Sequence, residues 1–490
     1  MNSPPASLAT PSADPRIIAR SEHNVSRAHI SPNALRVLYR LRDGGFQAFL
    51  VGGCVRDLLL GIEPKDFDVA TDALPEQVKR LFRNCRLVGR RFRLAHVFFG
   101  REIIEVATFR AATAPEPGEE PIPVADLDDE RVPGLEESEP VAEEAATADP
   151  RGLPDDDSER AFDASGRILR DNIYGTIDAD VWRRDFTCNS LYYNIADFSI
   201  WDYVNGVADV SARTLRLIGD PETRFREDPV RMLRAARFEA KLGFSIDPAT
   251  AAPIGKLREL LAGVPQARLF DETLKLFLGG YGAASFRVLR ARGLLGSILP
   301  TVDAYLSAHP GSLVEKLLVR GLENTDGRVQ ADKPVTPTFL FALLLYGPIA
   351  AIIEATPPER WHELATILDA CDQAVREAQA RISIPKRFSL GVREMFALQP
   401  RLEHPRGRRA LRSLEHPRFR AAYDLLLLRS EFGMASKATA DWWTRLQEVS
   451  AEERNTMAEA LASATARDPE APPPARRGRR RRRSGSARRG

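Results

Sequence analysis

The hydrophobic pattern between residues 47 and 71 predicts a strand, a glycine turn, a short helix and a second strand. Residues 47–51 are apolar apart from Gln47 and are followed by two glycines, which indicates a buried strand that stops at a turn. Residues 55–60 have the length of a short helix, and the glycine after them is a typical helix stop. A second strand then begins at Asp66, and alternate residues of a strand point to the same face. We therefore expect Asp66 and Asp68 to project together, with Phe67 in the core.

The remaining pattern separates a mixed N-terminal part from a helical remainder. Residues 95–99 and 102–109 are predicted strands joined by a glycine turn, and the spacing is helical from residue 249 onward. We expect an α+β fold, with an N-terminal head on a small mixed or antiparallel sheet, followed by all-α neck, body and tail domains. The longest apolar run, residues 339–346, is too short to span a bilayer.

Composition describes an ordinary globular protein with segregated charge. The chain has 490 residues, of which 43% are hydrophobic and 28% charged, and its net charge is only +2. Residues 111–165 are rich in acidic residues and proline, whereas the C-terminus is rich in arginine. We expect residues 1–20, the acidic insertion 111–165 and the tail 466–490 to be disordered. Such asymmetry favours a nucleic-acid partner.

The four cysteines form no C-x-x-C pair and have no zinc spacing with histidine. This argues against a disulfide framework or a structural zinc site and fits a reducing cytoplasm. The absence of a His-Asp doublet argues against a metal phosphohydrolase domain. The N-terminus also lacks the pattern of a signal peptide, so the expected location is cytoplasmic.

The first candidate chemistry lies in the turn and the second strand. Gly52 and Gly53 allow a ligand to approach the backbone, and a helix N-terminus behind such a turn favours phosphate. The paired carboxylates of Asp66 and Asp68 suit Mg²⁺, a hard cation that often bridges to a substrate phosphate. Glu105 is a candidate third metal ligand, although a salt-bridged strand glutamate explains it equally well. Taken alone, a Gly-Gly turn or an Asp-x-Asp pair is usually structural.

A second motif, Arg-Arg-Asp-Phe-Thr-Cys-Asn, begins at Arg183. The guanidinium group of Arg184 can pair with phosphate in fork geometry. Asp185 is either a further catalytic carboxylate or the group that orients Arg184. Asn189 is a candidate hydrogen-bond partner for a ribose hydroxyl. Structural ion pairing would also explain this motif if it stood alone.

A third motif surrounds the predicted start of a helix at Asp228. Asp228 is a suitable N-cap with Pro229 at the first helical position, and Arg231 and Arg234 share a face. An Asp–Arg pair can read a base edge, because the carboxylate accepts from an exocyclic amine while the guanidinium donates to a ring acceptor. A capped, salt-bridged surface helix is the alternative for this motif alone.

The three motifs, in this order, resemble those of class II nucleotidyltransferases of the polymerase-beta-like superfamily, which includes tRNA CCA-adding enzymes and bacterial poly(A) polymerases. The helical remainder resembles the poly(A) polymerase branch. The resemblance implies a nucleotidyltransferase catalytic head at 21–215, which contains the insertion, a helical neck at 216–280 that recognises the nucleotide, and a helical RNA-binding body at 281–465.

The resemblance also implies template-independent transfer of AMP from ATP to RNA 3′ ends. Asp66 and Asp68 would hold two Mg²⁺ ions, with Mn²⁺ as an alternative, and Asp185 would assist them. Asp228 and Arg231 would read adenine. The implied nucleotide-binding residues are Gly52, Gly53, Arg56, Arg184, Asn189, Asp228, Arg231 and Arg234.

Basic and aromatic residues alternate in the C-terminal part of the chain, a pattern that suits RNA because cations neutralise phosphates and rings stack on unpaired bases. Solvated helix faces would look similar. The candidate RNA-binding residues are Lys386, Arg387, Arg408, Arg409, Arg412, Arg479, Arg480 and Arg481. The expected partners are RNA 3′ ends, ATP and the RNA-degradation machinery, and we expect a monomer.

Two other functions remain open at this level. A CCA-adding enzyme shares all three motifs, and the choice of base depends on pocket geometry. A non-catalytic RNA-binding scaffold would have no need for the Asp66 and Asp68 pair.

Overall fold

The computed structural model describes residues 14–89, 93–110, 160–162, 168–171 and 174–466. The predictions for residues 1–13, for most of the acidic insertion and for the arginine tail lie outside these ranges. Two expected boundaries are wrong. Residues 16–18, expected to be disordered, form a strand that pairs with the head sheet, and residues 160–162 form a strand at the end of the expected insertion.

Most strands belong to the head. They are β1 (Arg16–Ile18), β2 (Ala48–Val51), β3 (Asp68–Thr71), β4 (Cys85–Val88), β5 (Leu94–Phe99), β6 (Glu102–Thr108), β7 (Arg160–Phe162), β8 (Ile168–Asp171), β9 (Leu191–Asn194), β10 (Ile200–Asp202), β11 (Thr214–Leu215) and β12 (Ser245–Ile246). Eight of them form one sheet in the order β1-β10-β9-β2-β3-β6-β5-β4. Only β3 and β6 pair in parallel in this sheet, so the expected mixed sheet is confirmed.

The helices of the head and of the first part of the neck are α1 (Pro32–Asp43), α2 (Gly53–Leu59), α3 (Pro75–Leu81), α4 (Ile177–Arg183), α5 (Gly206–Ser211), α6 (Pro221–Glu227) and α7 (Val230–Leu242). Those that follow are α8 (Pro248–Ala251), α9 (Ile254–Leu257), α10 (Gln266–Leu278), α11 (Gly282–Ala291), α12 (Leu295–Ile298), α13 (Pro300–Ala308), α14 (Leu313–Gln330), α15 (Pro337–Leu344), α16 (Tyr346–Glu354), α17 (Leu364–Gln379), α18 (Lys386–Glu403), α19 (Gly407–Leu414), α20 (Phe419–Glu431), α21 (Lys437–Glu448) and α22 (Ala451–Ala466). The helical remainder predicted from the spacing is confirmed.

The chain forms two compact units. The first contains the residues up to Pro348 together with Ala374–Lys386, and the second contains Ile349–Gln373 and the residues from Arg387 onward. The predicted head and neck therefore share a unit with the first part of the predicted body.

The head sheet buries an aromatic core. Phe49 on β2 lies 6.1 Å from the ring of Tyr192 on β9 and 5.1 Å from that of Trp201 on β10, measured between ring centroids. Rings at this separation add to the stabilisation from area burial. The packing fixes β2, whose last residue leads directly into the glycine turn.

In the described ranges, no single helix is long and apolar enough to cross a membrane; the bent pair α15 and α16 meets the length and composition test only when taken together.

Candidate active site

The glycine turn lies where β2 ends and α2 begins. Gly52 has φ 76° and ψ −142°, a conformation that residues with a Cβ rarely adopt, and α2 starts at the next residue. The observed helix begins two residues before the predicted position. Gly53 lines an adjacent cavity of about 330 Å³.

The predicted carboxylates line the same cavity. Asp68 is the first residue of β3 and is opposite Val51 on β2 and Glu105 on the parallel strand β6. Asp66 precedes the strand instead of belonging to it, so the predicted strand start is wrong by two residues. Asp66 is exposed and Asp68 is buried, yet both side chains reach the cavity, as does that of Glu105.

Oxygen donors line this cavity, and their chemistry fits Mg²⁺, which takes one or two carboxylates together with substrate phosphate and water. Over the described ranges, no three His, Cys, Asp or Glu side chains form a group that could hold a metal ion. The structure thus does not bring Asp66, Asp68 and Glu105 together as a complete three-ligand site. The expectations did not include His96, whose Nε2 lies 3.4 Å from Glu105 Oε1.

Arg56 connects the first motif to the second. The residue is 1% exposed and contributes to the cavity wall. Its Nη1 donates to Asn189 Oδ1 at 2.5 Å, and its Nε donates to Asp57 Oδ1 at 2.8 Å. The structure therefore gives Asn189 a protein partner for its carbonyl oxygen, and its contact with a ribose hydroxyl stays a prediction.

Arg184 lies in the interior of the head and is not among the residues that line the cavity. Its guanidinium group donates to Asp180 Oδ2 at 3.2 and 3.3 Å and to the Tyr192 hydroxyl at 2.9 Å. Burial acts to raise the pKa of Asp180, but Arg183 and Arg184 lower it, and the net direction is downward. In this arrangement Arg184 neutralises a buried carboxylate, which argues against direct phosphate pairing.

Asp185 binds the third motif. Its Oδ1 accepts from Arg231 Nε at 2.6 Å, and its Oδ2 lies 2.7 Å from Arg234 Nε. Asp185 is buried and does not line the cavity. The expectation that it orients Arg184 is therefore wrong, because its two oxygens are taken by arginines of α7. The same geometry argues against a direct metal contact.

Asp228 has a partner that the sequence did not reveal. Arg268 on α10 donates to Asp228 Oδ1 at 2.8 Å and to Oδ2 at 2.6 Å, which is the bidentate fork geometry. Asp228 Oδ1 also accepts from the backbone N–H of Val230. The helix α7 begins at Val230 with Pro229 at the N-cap position, so the predicted helix start is wrong by one residue. Asp228 and Arg231 thus lie at one helix start, each fixed by a different residue. Both are buried, and neither lines the cavity. A lone arginine in a helical stretch carries no signal that could have identified Arg268.

The predicted RNA-binding residues that the structure describes are exposed. Lys386 and Arg387 begin α18. Arg408, Arg409 and Arg412 lie on α19 in the second unit, where Arg408 pairs with Glu459 at 3.3 Å. Arg479, Arg480 and Arg481 lie outside the described residues.

Comparison with known proteins places these features in a family. Three family descriptions match: "Poly A polymerase head domain" over residues 48–216, "Probable RNA and SrmB- binding site of polymerase A" over 243–306 and "Polymerase A arginine-rich C-terminus" over 359–484. Poly(A) polymerase I of Escherichia coli O6:H1 is 46% identical over 436 residues, or 88% of this chain and 85% of that protein. The chain belongs to the bacterial poly(A) polymerase family. Poly(A) polymerase I of Haemophilus influenzae is 40% identical over 91% of this chain and 90% of its own length.

Membership of the poly(A) polymerase family makes the chain a polynucleotide adenylyltransferase, as the three motifs predicted. The CCA-adding alternative fits less well, since the enzyme of Lactobacillus helveticus is 31% identical over only 52% of each chain. A solved tRNA nucleotidyltransferase complexed with a primer tRNA and an incoming ATP analog shares the fold, with a TM-score of 0.51 and 20% identity over 84% of this chain and 98% of its own.

Proposed function

We propose that this poly(A) polymerase family member transfers AMP from ATP to the 3′ end of RNA at the cavity lined by Asp66 and Asp68. The observation that supports this most directly is the placement of both carboxylates in one cavity beside the Gly53 turn. The RNA 3′ oxygen attacks the α-phosphorus, the bond to the β-phosphate breaks, and pyrophosphate leaves. The proton of the 3′ hydroxyl passes to solvent.

Asp66 and Asp68 would hold two Mg²⁺ ions, with Glu105 nearby. When bound, such ions lower the pKa of the attacking hydroxyl and stabilise the charge of the leaving pyrophosphate. Gly52 and Gly53 would bind the triphosphate through their backbone N–H groups.

The nucleotide base would bind near the start of α7, where Asp228 accepts from the adenine amine and Arg231 donates to a ring nitrogen. Asp185 supports base recognition by Arg231, because its two carboxylate oxygens hold the guanidinium groups of Arg231 and Arg234. Arg268 supports it by holding both oxygens of Asp228. Preorganised groups of this kind bind a ligand with less loss of side-chain entropy.

The exposed arginines of α19 and the arginine-rich tail would bind the RNA backbone through charge. The match over residues 243–306 to a region described as binding RNA and SrmB supports a protein partner from RNA metabolism. We further propose a monomeric, cytoplasmic enzyme.

The test is to incubate the protein and RNA with Mg²⁺ and one nucleoside triphosphate at a time. Long tails with ATP alone are expected. Short additions that require CTP and then ATP, confined to tRNA, would instead indicate a CCA-adding enzyme.

A further inference from the structure

Part of the active-site cavity is lined by residues that were not among the predicted site residues of the three motifs. Besides the head residues, it is lined by Phe238 and Lys241 of α7 and by Tyr281, which precedes α11. Phe238 and Lys241 are three residues apart on the helix, so their side chains share a face. All three belong to the first compact unit. We call Phe238, Lys241 and Tyr281 the helical wall.

The helical wall is held firmly by its own packing. Phe238 is 1% exposed, and its ring lies edge-on to Phe186 at 5.5 Å, which ties the wall to the second motif. The helices α7 and α11 pack together, and Arg292 donates to both oxygens of Glu239 at 2.6 Å. Phe238 and Lys241 thus project from a helix that is packed firmly against α11.

The backbone around Tyr281 is also fixed. Asp326 accepts from the N–H groups of Gly282 and Ala283 at 2.6 and 3.0 Å, and the Gly280 carbonyl accepts from Gln330 at 2.9 Å. At Gly282, a Cβ would lie 2.6 Å from the Phe277 carbonyl oxygen, so no larger residue fits. Tyr281 itself is only partly buried. A tightly held loop therefore presents an aromatic ring at the cavity.

A cation and an aromatic residue that line one cavity suit a nucleotide of a single strand, because the cation pairs with phosphate and the ring stacks on a base. The ATP base is not expected to occupy the helical wall, because its proposed site is at the start of α7. Lys241 lies about 16 Å along α7 from Val230, at about 1.5 Å per residue, whereas Asp228 and Arg231 are at the start of that helix. The triphosphate is proposed to bind at the glycine turn. The second substrate is the acceptor strand, whose 3′ end must also reach Asp68, and the helical wall is available for it.

We propose that Lys241 and Tyr281 form the subsite for the 3′-terminal nucleotide of the acceptor RNA. Lys241 pairs with the last phosphodiester, and Tyr281 stacks on the terminal base. Phe238 is the buried residue of the wall and fixes α7 against the head. This placement directs the 3′ oxygen to the carboxylates. The inference rests on the proposed function and adds to it the residues that position the acceptor.

The test is steady-state kinetics with a short oligoadenylate and ATP in Mg²⁺, varying each substrate separately. Tyr281→Ala is expected to raise the KM for RNA about tenfold, in line with the loss of one base stack. Lys241→Met is expected to raise it about fivefold and to reduce the slope of log KM against log salt by about 0.7, the value for one phosphate contact on a single strand. The KM for ATP should change less than twofold.

Conservative and distant variants provide the controls. Tyr281→Phe retains the ring and Lys241→Arg retains the charge, so both should keep most of the RNA affinity. Lys316→Met removes an exposed lysine of α14 and should leave every parameter unchanged. Thermal unfolding of each variant identifies any loss of fold.

A rise in the KM for ATP instead of RNA would overturn the proposal and assign the wall to the triphosphate. Unchanged kinetics in both alanine and methionine variants would also overturn it. If wild-type protein incorporated no AMP, the proposed function itself would fail. Fluorescence anisotropy of a labelled oligoadenylate would then still test the subsite, since Lys241→Met should raise the Kd for the oligoadenylate about fivefold over that of the wild-type protein.

Discussion

Arg56 Nη1 donates to Asn189 Oδ1 at 2.5 Å across 133 residues of sequence. The bond joins the helix after the glycine turn to the second motif, and Asp57 holds the same guanidinium group from its other side. The glycine turn and the interior of the head are therefore mechanically linked.

We expect Arg56→Lys to lower AMP incorporation and raise the KM for ATP, because an ammonium group cannot bond Asn189 and Asp57 in fork geometry. Combination with Asn189→Ala should give a coupling energy of about 1–2 kcal/mol in a double-mutant cycle of unfolding. Arg42→Lys is the control, since the Arg42–Asp43 pair is exposed. Additive effects of Arg56→Lys and Asn189→Ala would show that the bond carries no energy.

Asp68→Asn should lower AMP incorporation by more than about 100-fold, above the loss typical of residues that only orient metal ligands. RNA affinity and thermal stability should stay close to wild type, because the substitution keeps the shape of the side chain. Asp66→Asn should act in the same direction. Asp43→Asn, at an exposed carboxylate of α1, serves as the control. Near-normal activity of Asp68→Asn would show that AMP transfer does not depend on this cavity.

Arg268→Ala should raise the KM for ATP and weaken discrimination against CTP. It leaves the buried carboxylate of Asp228 without its bidentate partner, so a stability loss near the lower end of about 3–5 kcal/mol is expected. Arg287→Ala, which removes an exposed ion pair between α11 and α14, is the matched control. The measurement is the ratio of kcat/KM for ATP and CTP. An unchanged ratio would make Arg268 a purely structural residue.

Asp180→Asn should destabilise the head by about 3 kcal/mol at pH 7, because it removes a buried charge that faces two arginines. The pKa of Asp180 in the folded state is below its usual value. Its stabilising contribution is therefore fully present above the unfolded-state pKa of about 4 and is lost progressively as pH falls from there through the folded-state pKa. Urea unfolding should show a smaller difference in unfolding free energy between wild type and Asp180→Asn at pH 3.5 than at pH 7. The exposed variant Glu222→Gln is the reference. An equal difference at both pH values would contradict the lowered pKa of Asp180.

Deletion of residues 475–490 should weaken RNA binding and flatten its salt dependence, because this segment contains most of the arginines of the tail. AMP transfer at saturating RNA should remain. A salt titration of RNA binding provides the measurement, and an unchanged slope would exclude the tail as an RNA-binding arm.

The sequence by itself determined the fold class and the family, because both depend on local patterns. The glycine turn after β2, the Asp-x-Asp spacing and the capped start of α7 are encoded within a few residues each. Turn conformation and hydrophobic period follow from neighbouring side chains.

Only the tertiary structure decided which charged residues meet. Asp185 was expected to be either a further catalytic carboxylate or the group that orients Arg184. In the structure it binds Arg231 and Arg234, while Arg184 binds Asp180. Arg268 reaches Asp228 from another helix, and Lys241 and Tyr281 reach the cavity from two more segments. The physical reason is that a buried charge needs an opposite charge close in space, and helix packing selects that partner without regard to sequence distance.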